Sequence, residues 1–174
     1  DLCDGVACAP LAAAIREAQW KQTLAAEHSH GRSPDFPALA RACAAEHDLS
    51  LTGEQSAALW DAWNLGGAFY GRTLFPDTIP TLDELRRRGY RLGVVTNRAL
   101  GGPRFRDELG DDGLLDRFET IAVSCDDGWL KPHPALFQRS LDDLELSPEE
   151  VVMVGDNLRA DVMGAKALGM TAVW

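Results

Sequence analysis

Two aspartates near the end of the chain have the residue type and the spacing of a metal-binding pair. Asp156 follows the apolar run 151–154 and Gly155, a pattern that is typical of a buried strand ending in a turn. Asp161 lies about where the next helix begins. Ligands of open α/β sheets bind beyond the carboxyl ends of the strands, and Mg²⁺ prefers oxygen ligands, so the pair predicts a Mg²⁺ site. The structural alternative is that Asp156 shapes a turn and Asp161 caps a helix.

Residues suited to phosphate follow two other predicted elements. Thr96 and Asn97 come after the strand-like run 91–95, where a hydroxyl and exposed backbone N–H groups form a cradle for phosphate oxygens. Lys131 precedes a Pro-His-Pro segment whose prolines fix the backbone, which holds the ammonium group as a point charge. The structural alternatives are a Thr-Asn pair that only closes the strand and a surface lysine before a helix.

The elements that must position these residues change character near residue 76. Between 10 and 75 the chain is rich in alanine, and helical patterns run over 11–27, 36–46 and 52–70. Thr52 and Gln55 are typical of a capping box that opens the third of these helices. This part of the chain contains no convincing strand pattern, so it is predicted to be all-helical.

Beyond residue 76, helical and strand patterns alternate. Strands are predicted at 91–95, 120–123, 151–154 and 171–174, and helices at 81–88, 105–115, 134–144 and 161–168. Such alternation indicates βαβ units and a parallel sheet. The predicted class is α/β: a Rossmann-like three-layer parallel-sheet core of residues 1–9 and 76–174, with an inserted all-helical cap of residues 10–75.

The overall composition narrows the function classes. The chain has 174 residues, 45% of them hydrophobic, and a formal net charge of −10, which argues against nucleic acid and anionic membranes as partners. No apolar run approaches the length of a membrane span, and no signal peptide is evident. The four cysteines lack the spacing of a metal site or a disulfide framework, so we expect reduced thiols in a cytoplasmic protein. The oligomeric state is not indicated.

With these residues in place, the chain resembles the haloacid dehalogenase (HAD)-like hydrolase superfamily, in its phosphatase branch with a helical (C1-type) cap. The segment 94–97 is similar to the second motif of the family, Lys131 with the proline after it to the third, and 155–161 to the fourth. Residues 73–77 and 82–89 are similar to the return from the cap into the core. The motifs stand in the family's order and cover essentially the whole sequence.

The resemblance implies a two-step phosphoryl transfer, in which a carboxylate attacks phosphorus and water then hydrolyses the aspartyl-phosphate. The first residues, Asp1-Leu2-Cys3-Asp4-Gly5-Val6, would supply Asp1 as the nucleophile and Asp4 as the acid that protonates the leaving group. In the remaining implied roles, Thr96, Asn97 and Lys131 bind the phosphoryl group, and Asp1, Asp156 and Asp161 bind Mg²⁺.

The first motif departs from the family's Asp-x-Asp-Gly pattern by one residue. With Asp1 as the nucleophile, Cys3 takes the position of the acid; with Asp4 as the acid, the nucleophile position falls on Leu2. A one-residue bulge would keep both aspartates in their roles, and we favour Asp1 as the nucleophile. The family's first motif also follows a central strand, whereas the sequence begins at Asp1. We therefore expect that it is a trimmed portion of a longer protein.

The function predicted from the sequence is a Mg²⁺-dependent phosphatase that acts on a small phosphorylated metabolite. Two other activities share the fold: haloacid dehalogenation, which needs no metal, and a phosphoglucomutase-like reaction, which Asp4-Gly5-Val6 would also suit. A non-catalytic relative that binds a phosphorylated ligand or a protein partner would fit the irregular first motif. A response-regulator receiver also has Asp, Thr and Lys at strand ends, but the long helical insert and Asp161 argue against it.

Overall fold

The structure is a computed structural model that describes residues 8–29, 31–63, 66–69 and 71–174. The predicted site residues Asp1 and Asp4 lie outside these ranges, so their roles stay predictions. The predicted site residues at the later strand ends are all described: Thr96, Asn97, Lys131, Asp156 and Asp161.

Helices and their connecting loops make up the first part of the chain. The helices are α1 (Cys8–His28), α2 (Phe36–Ala45), α3 (Gly53–Trp63) and the single turn α4 (Gly66–Phe69). The helix predicted over 52–70 is divided, because Gly66 has a φ of +77°, a left-handed conformation that a regular α-helix does not contain. No helix in the described ranges has both the length and the apolar content needed to cross a membrane.

Local hydrogen bonds determine where α2 and α3 begin. The Asp35 carboxylate accepts the Ala38 N–H at 2.9 Å, which satisfies one of the unpaired donors in the first turn of α2. At α3, the Thr52 hydroxyl accepts the Gln55 N–H at 3.1 Å, and the Gln55 side chain accepts the Thr52 N–H at 2.9 Å. The predicted capping box is therefore confirmed.

An apolar core holds these helices together. Phe36 of α2 stacks on Trp60 of α3 with ring centroids 5.0 Å apart, and the fully buried Ile15 of α1 belongs to the same cluster. Stacked aromatic pairs contribute about 0.5–1.5 kcal/mol beyond the burial of their area. Ala99 and Cys125, from the second part of the chain, pack against this cluster. The helical segment is therefore in direct contact with the rest of the molecule.

The second part of the chain alternates helices and strands. In order, its elements are α5 (Thr78–Arg87), β1 (Gly93–Thr96), α6 (Gly102–Asp111), β2 (Thr120–Val123), α7 (Ser124–Asp127), α8 (Pro134–Leu144), β3 (Val152–Val154), α9 (Gly164–Ala167) and β4 (Thr171–Val173). β1 pairs with β2 and β3 pairs with β4, both in parallel register. The α/β class with parallel strands is confirmed. Within the described residues, these strands form two separate pairs.

Helix α8 joins the two strand pairs. Its buried residues Phe137 and Leu141 form a cluster with Val95 of β1, Met153 of β3 and Ala172 of β4. A single helix thus packs its apolar face against both pairs, and the two pairs share one helical layer. This layer keeps the ends of β1 and β3 near each other, although the two strands do not pair.

The helix after β3 begins earlier than the sequence predicts. Instead of running over 161–168, it starts as a π-helical segment, Leu158–Met163, that continues into α9. Asn157 is the reason, because its Oδ1 accepts two backbone N–H groups of the first turn, at 3.0 and 2.8 Å. The cap is therefore Asn157, and Asp161 lies inside the helix.

Other predicted elements agree to within a few residues. α5 ends at Arg87, and Gly89 has a φ of +88°, in keeping with the predicted glycine stop. The broken pattern over 105–115 is one regular helix, α6, followed by a 3₁₀ turn at Leu115–Arg117. Pro103 in the first turn explains the earlier start of α6, because that position needs no N–H donor.

Gly164 allows α9 to approach α8. A Cβ atom at this position would lie 2.8 Å from the buried ring of Phe137 and 3.1 Å from the Cα atom of Pro132. We expect Gly164→Ala to lower the free energy of unfolding by about 1–3 kcal/mol, because neither neighbour is free to move away. Urea unfolding of the purified variant measures the change.

Gly110→Ala is the matched control for this substitution. Gly110 lies in α6, and the nearest neighbour of an added Cβ atom is 4.0 Å away. The control should therefore leave stability unchanged or raise it by up to about 1 kcal/mol. Identical unfolding midpoints for the two alanine variants would show that the close approach at Gly164 has no energetic consequence.

Candidate active site

The side chain of Lys131 is buried between the ends of the two strand pairs. Its Nζ donates to the Val95 carbonyl oxygen at 2.6 Å and to Asp161 Oδ1 at 2.6 Å. The side chains of Lys131 and Asp161 are only 10% and 7% exposed. Val95 belongs to β1, and Asp161 belongs to the helix after β3. The structure therefore brings two of the predicted site residues into direct contact.

The carboxylate of Asp161 is held by both of its oxygens. Oδ1 accepts from the lysine, and Oδ2 accepts the Asn157 N–H at 3.0 Å. Gly155 makes room for this arrangement, because a Cβ atom on that residue would overlap Asp161 Oδ2. The glycine that ends the strand therefore also lets a buried carboxylate lie against the main chain.

A buried ion pair of this kind is sensitive to the loss of either member. Removing two charges from water is costly, and their mutual attraction and added hydrogen bonds offset that cost. Loss of one member leaves the other charge buried and unpaired, which typically costs about 3–5 kcal/mol. Lys131 and Asp161 therefore fix each other's position as well as the fold around them.

The side-chain amide of Asn97 clamps the main chain of Lys131. Its Oδ1 accepts the Lys131 N–H at 2.7 Å, and its Nδ2 donates to the Lys131 carbonyl oxygen at 3.0 Å. Nδ2 also donates to Oε1 of Glu27, near the end of α1, at 3.1 Å. The amide is therefore engaged in positioning the lysine. Glu27 is absent from the sequence prediction, because no pattern in the sequence links α1 to this loop.

The loop that follows Thr96 is fixed by Ser124. Thr96 ends β1 and is opposite Val123 in the pairing with β2. The buried Ser124 hydroxyl accepts the Arg98 N–H at 2.9 Å and donates to the Arg98 carbonyl oxygen at 3.0 Å. Ser124 is also absent from the sequence prediction. Its place directly after the apolar run 120–123 was the signal, since polar residues that end parallel strands share one edge.

The carboxylate of Asp156 is exposed beyond the end of β3. Trp174 donates its indole N–H to the main-chain oxygen of Asp156 at 2.9 Å, and the carboxylate makes no hydrogen bond or ion pair with a described residue. In the described ranges, no group of three or more His, Cys, Asp or Glu side chains could hold a metal ion. Asp1, the third predicted ligand, lies outside these ranges. Asp156 and Asp161 still offer the hard oxygen donors that Mg²⁺ prefers.

The loop between α1 and α2 contacts the segment that carries Lys131. The Leu130 N–H donates to the Gly31 carbonyl oxygen at 2.6 Å, and the Ser33 N–H donates to the Gly128 carbonyl oxygen at 3.0 Å. These bonds connect the main chain of the helical part to the main chain just before the lysine. The lysine segment is therefore supported by the helices as well as by Asn97.

A stack of three side chains lies where the loop between α1 and α2 meets the segment that carries Lys131. The Arg32 guanidinium lies 4.0 Å from the centroid of the Trp129 ring, which in turn stacks on His133 at 3.8 Å. Burial, followed by the charge of Arg32, lowers the pKa of His133. A neutral ring fits the role of His133 Nδ1, which accepts the Ala135 N–H at 3.2 Å at the start of α8. Trp129 and His133 flank Lys131 in the sequence, so their contact joins the two ends of the short segment that carries the lysine.

The chain as a whole matches a known family. A family model described as haloacid dehalogenase-like hydrolase matches residues 6–169. This range includes the Thr96–Asn97 loop and Lys131. It also includes Asp156 and Asp161, which follow β3. The chain therefore belongs to the haloacid dehalogenase-like hydrolase family.

Relatives within that family show which proteins the chain resembles. It is 38% identical over 100 residues to glyceraldehyde 3-phosphate phosphatase of Pyrococcus furiosus and 41% identical over 102 residues to phosphoserine phosphatase of Thermus thermophilus. The alignments include 57% and 58% of this chain but 40% of each relative, so the chain spans about two fifths of their length. A HAD phosphatase from Thermococcus onnurineus, known from its crystal structure, is 32% identical in sequence to this chain. The two structures superpose with a TM-score of 0.57, and the match covers 94% of this chain and 75% of that one.

Lys131→Met tests the energetic role of the buried ion pair. Methionine keeps much of the length of the side chain but removes the charge, so Asp161 would remain buried without its partner. We expect the free energy of unfolding to fall by about 3–5 kcal/mol, measured by urea unfolding. Lys166→Met, on the exposed surface of α9, should change it by no more than about 0.5 kcal/mol. Equal effects of the two substitutions would contradict the structure of the site.

Proposed function

We propose that the protein is a Mg²⁺-dependent phosphatase that hydrolyses a small phosphorylated metabolite through an aspartyl-phosphate intermediate. The observation that carries the proposal is the buried ammonium group of Lys131, held by Asp161 and by the Val95 carbonyl oxygen. A positioned cation next to the Thr96–Asn97 loop is suited to a phosphoryl group. Membership of the family and the phosphatases among the relatives support the same reaction.

Three groups would hold the phosphoryl oxygens. An ammonium group has three hydrogens, and the bonds from Lys131 Nζ to Val95 and Asp161 leave one of them for a phosphoryl oxygen. The hydroxyl of Thr96 and the backbone N–H of Asn97 would donate to the other oxygens. Because the Asn97 side chain clamps the main chain of Lys131, the same residue would position the lysine.

Asp1 would attack phosphorus in the first step. A bond forms between phosphorus and the Asp1 carboxylate, and the bond from phosphorus to the oxygen of the leaving alcohol breaks. Asp4 would give its proton to that oxygen and then accept a proton from the water that hydrolyses the aspartyl-phosphate. Both roles rest on the resemblance of the first six residues to the family's first motif.

Asp156 and Asp161, together with Asp1, would bind Mg²⁺. Bound there, Mg²⁺ supplies positive charge that offsets the repulsion between the phosphate and the carboxylates. The Asp156 carboxylate is exposed, and each Asp161 oxygen has a lone pair beyond the one that its hydrogen bond uses. Because Gly155 has no side chain, the Asp161 carboxylate lies close to the main chain at the end of β3, next to Asp156.

The helical segment 10–75 would act as a cap over a core formed by residues 1–9 and 76–174. Glu27 of α1 reaches Asn97, and the loop between α1 and α2 bonds to the main chain next to Lys131. A cap in this place would exclude water from the reaction and contact the part of the substrate beyond the phosphate.

The cytoplasm is the proposed location, since the described thiols of Cys43 and Cys125 are free.

Hydrolysis of p-nitrophenyl phosphate, with Mg²⁺ or with EDTA, tests the proposed reaction. We expect turnover that requires Mg²⁺ and that Asp1→Asn abolishes, because an amide does not form the aspartyl-phosphate. Asp156→Asn should lower kcat roughly a hundredfold, because it removes one carboxylate ligand of the Mg²⁺ that would offset the negative charge of the transition state. The release of p-nitrophenolate measures each rate.

Asp111→Asn is the matched control for the aspartate variants. Asp111 is exposed at the end of α6, and its variant should hydrolyse p-nitrophenyl phosphate at the parental rate. Turnover that survives Asp1→Asn would assign the nucleophile to another residue. A folded protein that does not hydrolyse p-nitrophenyl phosphate in the presence of Mg²⁺ would contradict the proposal.

A further inference from the structure

A cavity of about 530 Å³ lies between the helical segment and the loops that follow β1 and β2. The stacked pair of Phe36 and Trp60 forms part of its wall, and the loop 99–103 forms another part. This loop begins two residues after Asn97, and Gly128, also in the wall, precedes Lys131 by three residues. The same two chain segments therefore contribute to the cavity and to the proposed phosphate site.

The charged residues in the wall of the cavity are all acidic. They are Asp35, Asp61 and Asp126, and the described wall residues include no lysine, arginine or histidine. None of these carboxylates forms an ion pair with a described residue. Asp35 and Asp126 each accept a backbone N–H, at 2.9 and 2.8 Å. Arg104 donates to the main-chain oxygen of Asp61 and forms no ion pair with its carboxylate.

An unsatisfied polar atom lies in the same wall. The Oγ atom of Ser33 is buried and has no hydrogen-bond partner among the described residues. A buried polar group without a partner costs about 1–3 kcal/mol. A ligand that brings a hydrogen-bond donor into the cavity would remove this cost. The unsatisfied hydroxyl is an indication of a polar ligand that does not depend on the acidic residues.

We propose that the cavity binds an ammonium group, and that the protein therefore hydrolyses phosphate monoesters of small amino alcohols. This inference rests on the proposed phosphatase function, because the phosphate end of the substrate must lie at Lys131. The ammonium group would be attracted by Asp61 and Asp126 and would donate a hydrogen bond to Ser33 Oγ. The products are inorganic phosphate and the free amino alcohol, and water supplies the added oxygen and hydrogens.

The aromatic pair in the wall favours the same class of ligand. The face of an aromatic ring attracts a cation that lies over it by about 0.5–2 kcal/mol when the cation is away from water. Phe36 and Trp60 are buried and stacked, so they also give the cavity a rigid apolar wall for the carbon atoms of the substrate. A second anionic group on the substrate, in contrast, would be repelled by the aspartates.

Cys125, another wall residue, shows how this environment acts on an anion. Burial, followed by the Asp126 carboxylate, raises the pKa of the Cys125 thiol to about 12. The thiol is therefore protonated and neutral at physiological pH. Burial disfavours any charged group in this wall, but the second cause, the negative charge of Asp126, disfavours only an anionic substituent of the substrate and attracts a cationic one.

Phosphoethanolamine and ethyl phosphate are a matched pair of substrates, because they differ by the amino group. We expect the parental kcat/KM for phosphoethanolamine to be about tenfold higher or more, a factor that corresponds to about 1.4 kcal/mol. Asp61→Asn and Asp126→Asn should each lower this ratio severalfold, because asparagine keeps the hydrogen-bond acceptor but not the charge. A substitution that lowers activity in general changes kcat/KM for both esters equally and leaves their ratio unchanged. The two esters also differ in leaving-group reactivity, but this difference is the same in every variant.

Asp111→Asn is the matched control and should keep the parental ratio. Calorimetric titration with the same two esters in EDTA measures the preference without turnover. If neither ester is hydrolysed, yet phosphoethanolamine binds more tightly and Asp126→Asn removes the difference, the phosphatase proposal fails and the ammonium site stands. A ratio that keeps its parental value in both aspartate variants, or tighter binding of ethyl phosphate, would overturn the ammonium site.

Discussion

The ion pair between Lys131 and Asp161 connects parts of the molecule that strand pairing leaves separate. In the described residues, β1–β2 and β3–β4 each pair only within themselves. Helix α8 packs against both pairs, but apolar burial is non-directional and does not by itself set the position of polar atoms. The ammonium group adds direction, because it bonds to the end of β1 and to the helix after β3. Gly155 and Asn97 support it by making room for Asp161 and by holding the main chain of Lys131.

Elements with strong local signals could be predicted from the sequence. The strand over 120–123 and the helix over 134–144 agree with β2 and α8 residue for residue, and the capping box at α3 is present. The predictions that failed depend on single residues. Gly66 divides the helix predicted over 52–70, and Asn157 moves a helix start ahead of Asp161. Glycine and asparagine are compatible with several backbone conformations, so the surrounding structure decides which of them is adopted.

The candidate site shows a similar limit at the level of contacts. Lys131, Asn97 and Asp161 could be identified because each follows a predicted strand or lies in a recognisable motif. The side-chain partner of Asn97 could not, since Glu27 lies 70 residues away in the sequence and no pattern links the two. The expected role of Asn97 concerns its backbone N–H, and the contacts of its side chain with the main chain of Lys131 are an additional feature that the sequence does not predict. A sequence motif therefore identifies which residues belong to a site, but it does not predict the hydrogen-bond partner of each atom.

The loop between α1 and α2 limits how this molecule can exchange its helical segment with that of a relative. Gly31 has a φ of +70°, and a Cβ atom there would lie 2.8 Å from Cβ of His133, so the loop fits only as a glycine-containing chain of this shape. A helical segment grafted from another protein would break the contact with Leu130 unless it reproduced that loop. Such a graft would thus disturb the lysine segment through its main chain. The main-chain bond between Gly31 and Leu130 therefore makes the shape of one loop a condition for the position of the lysine segment.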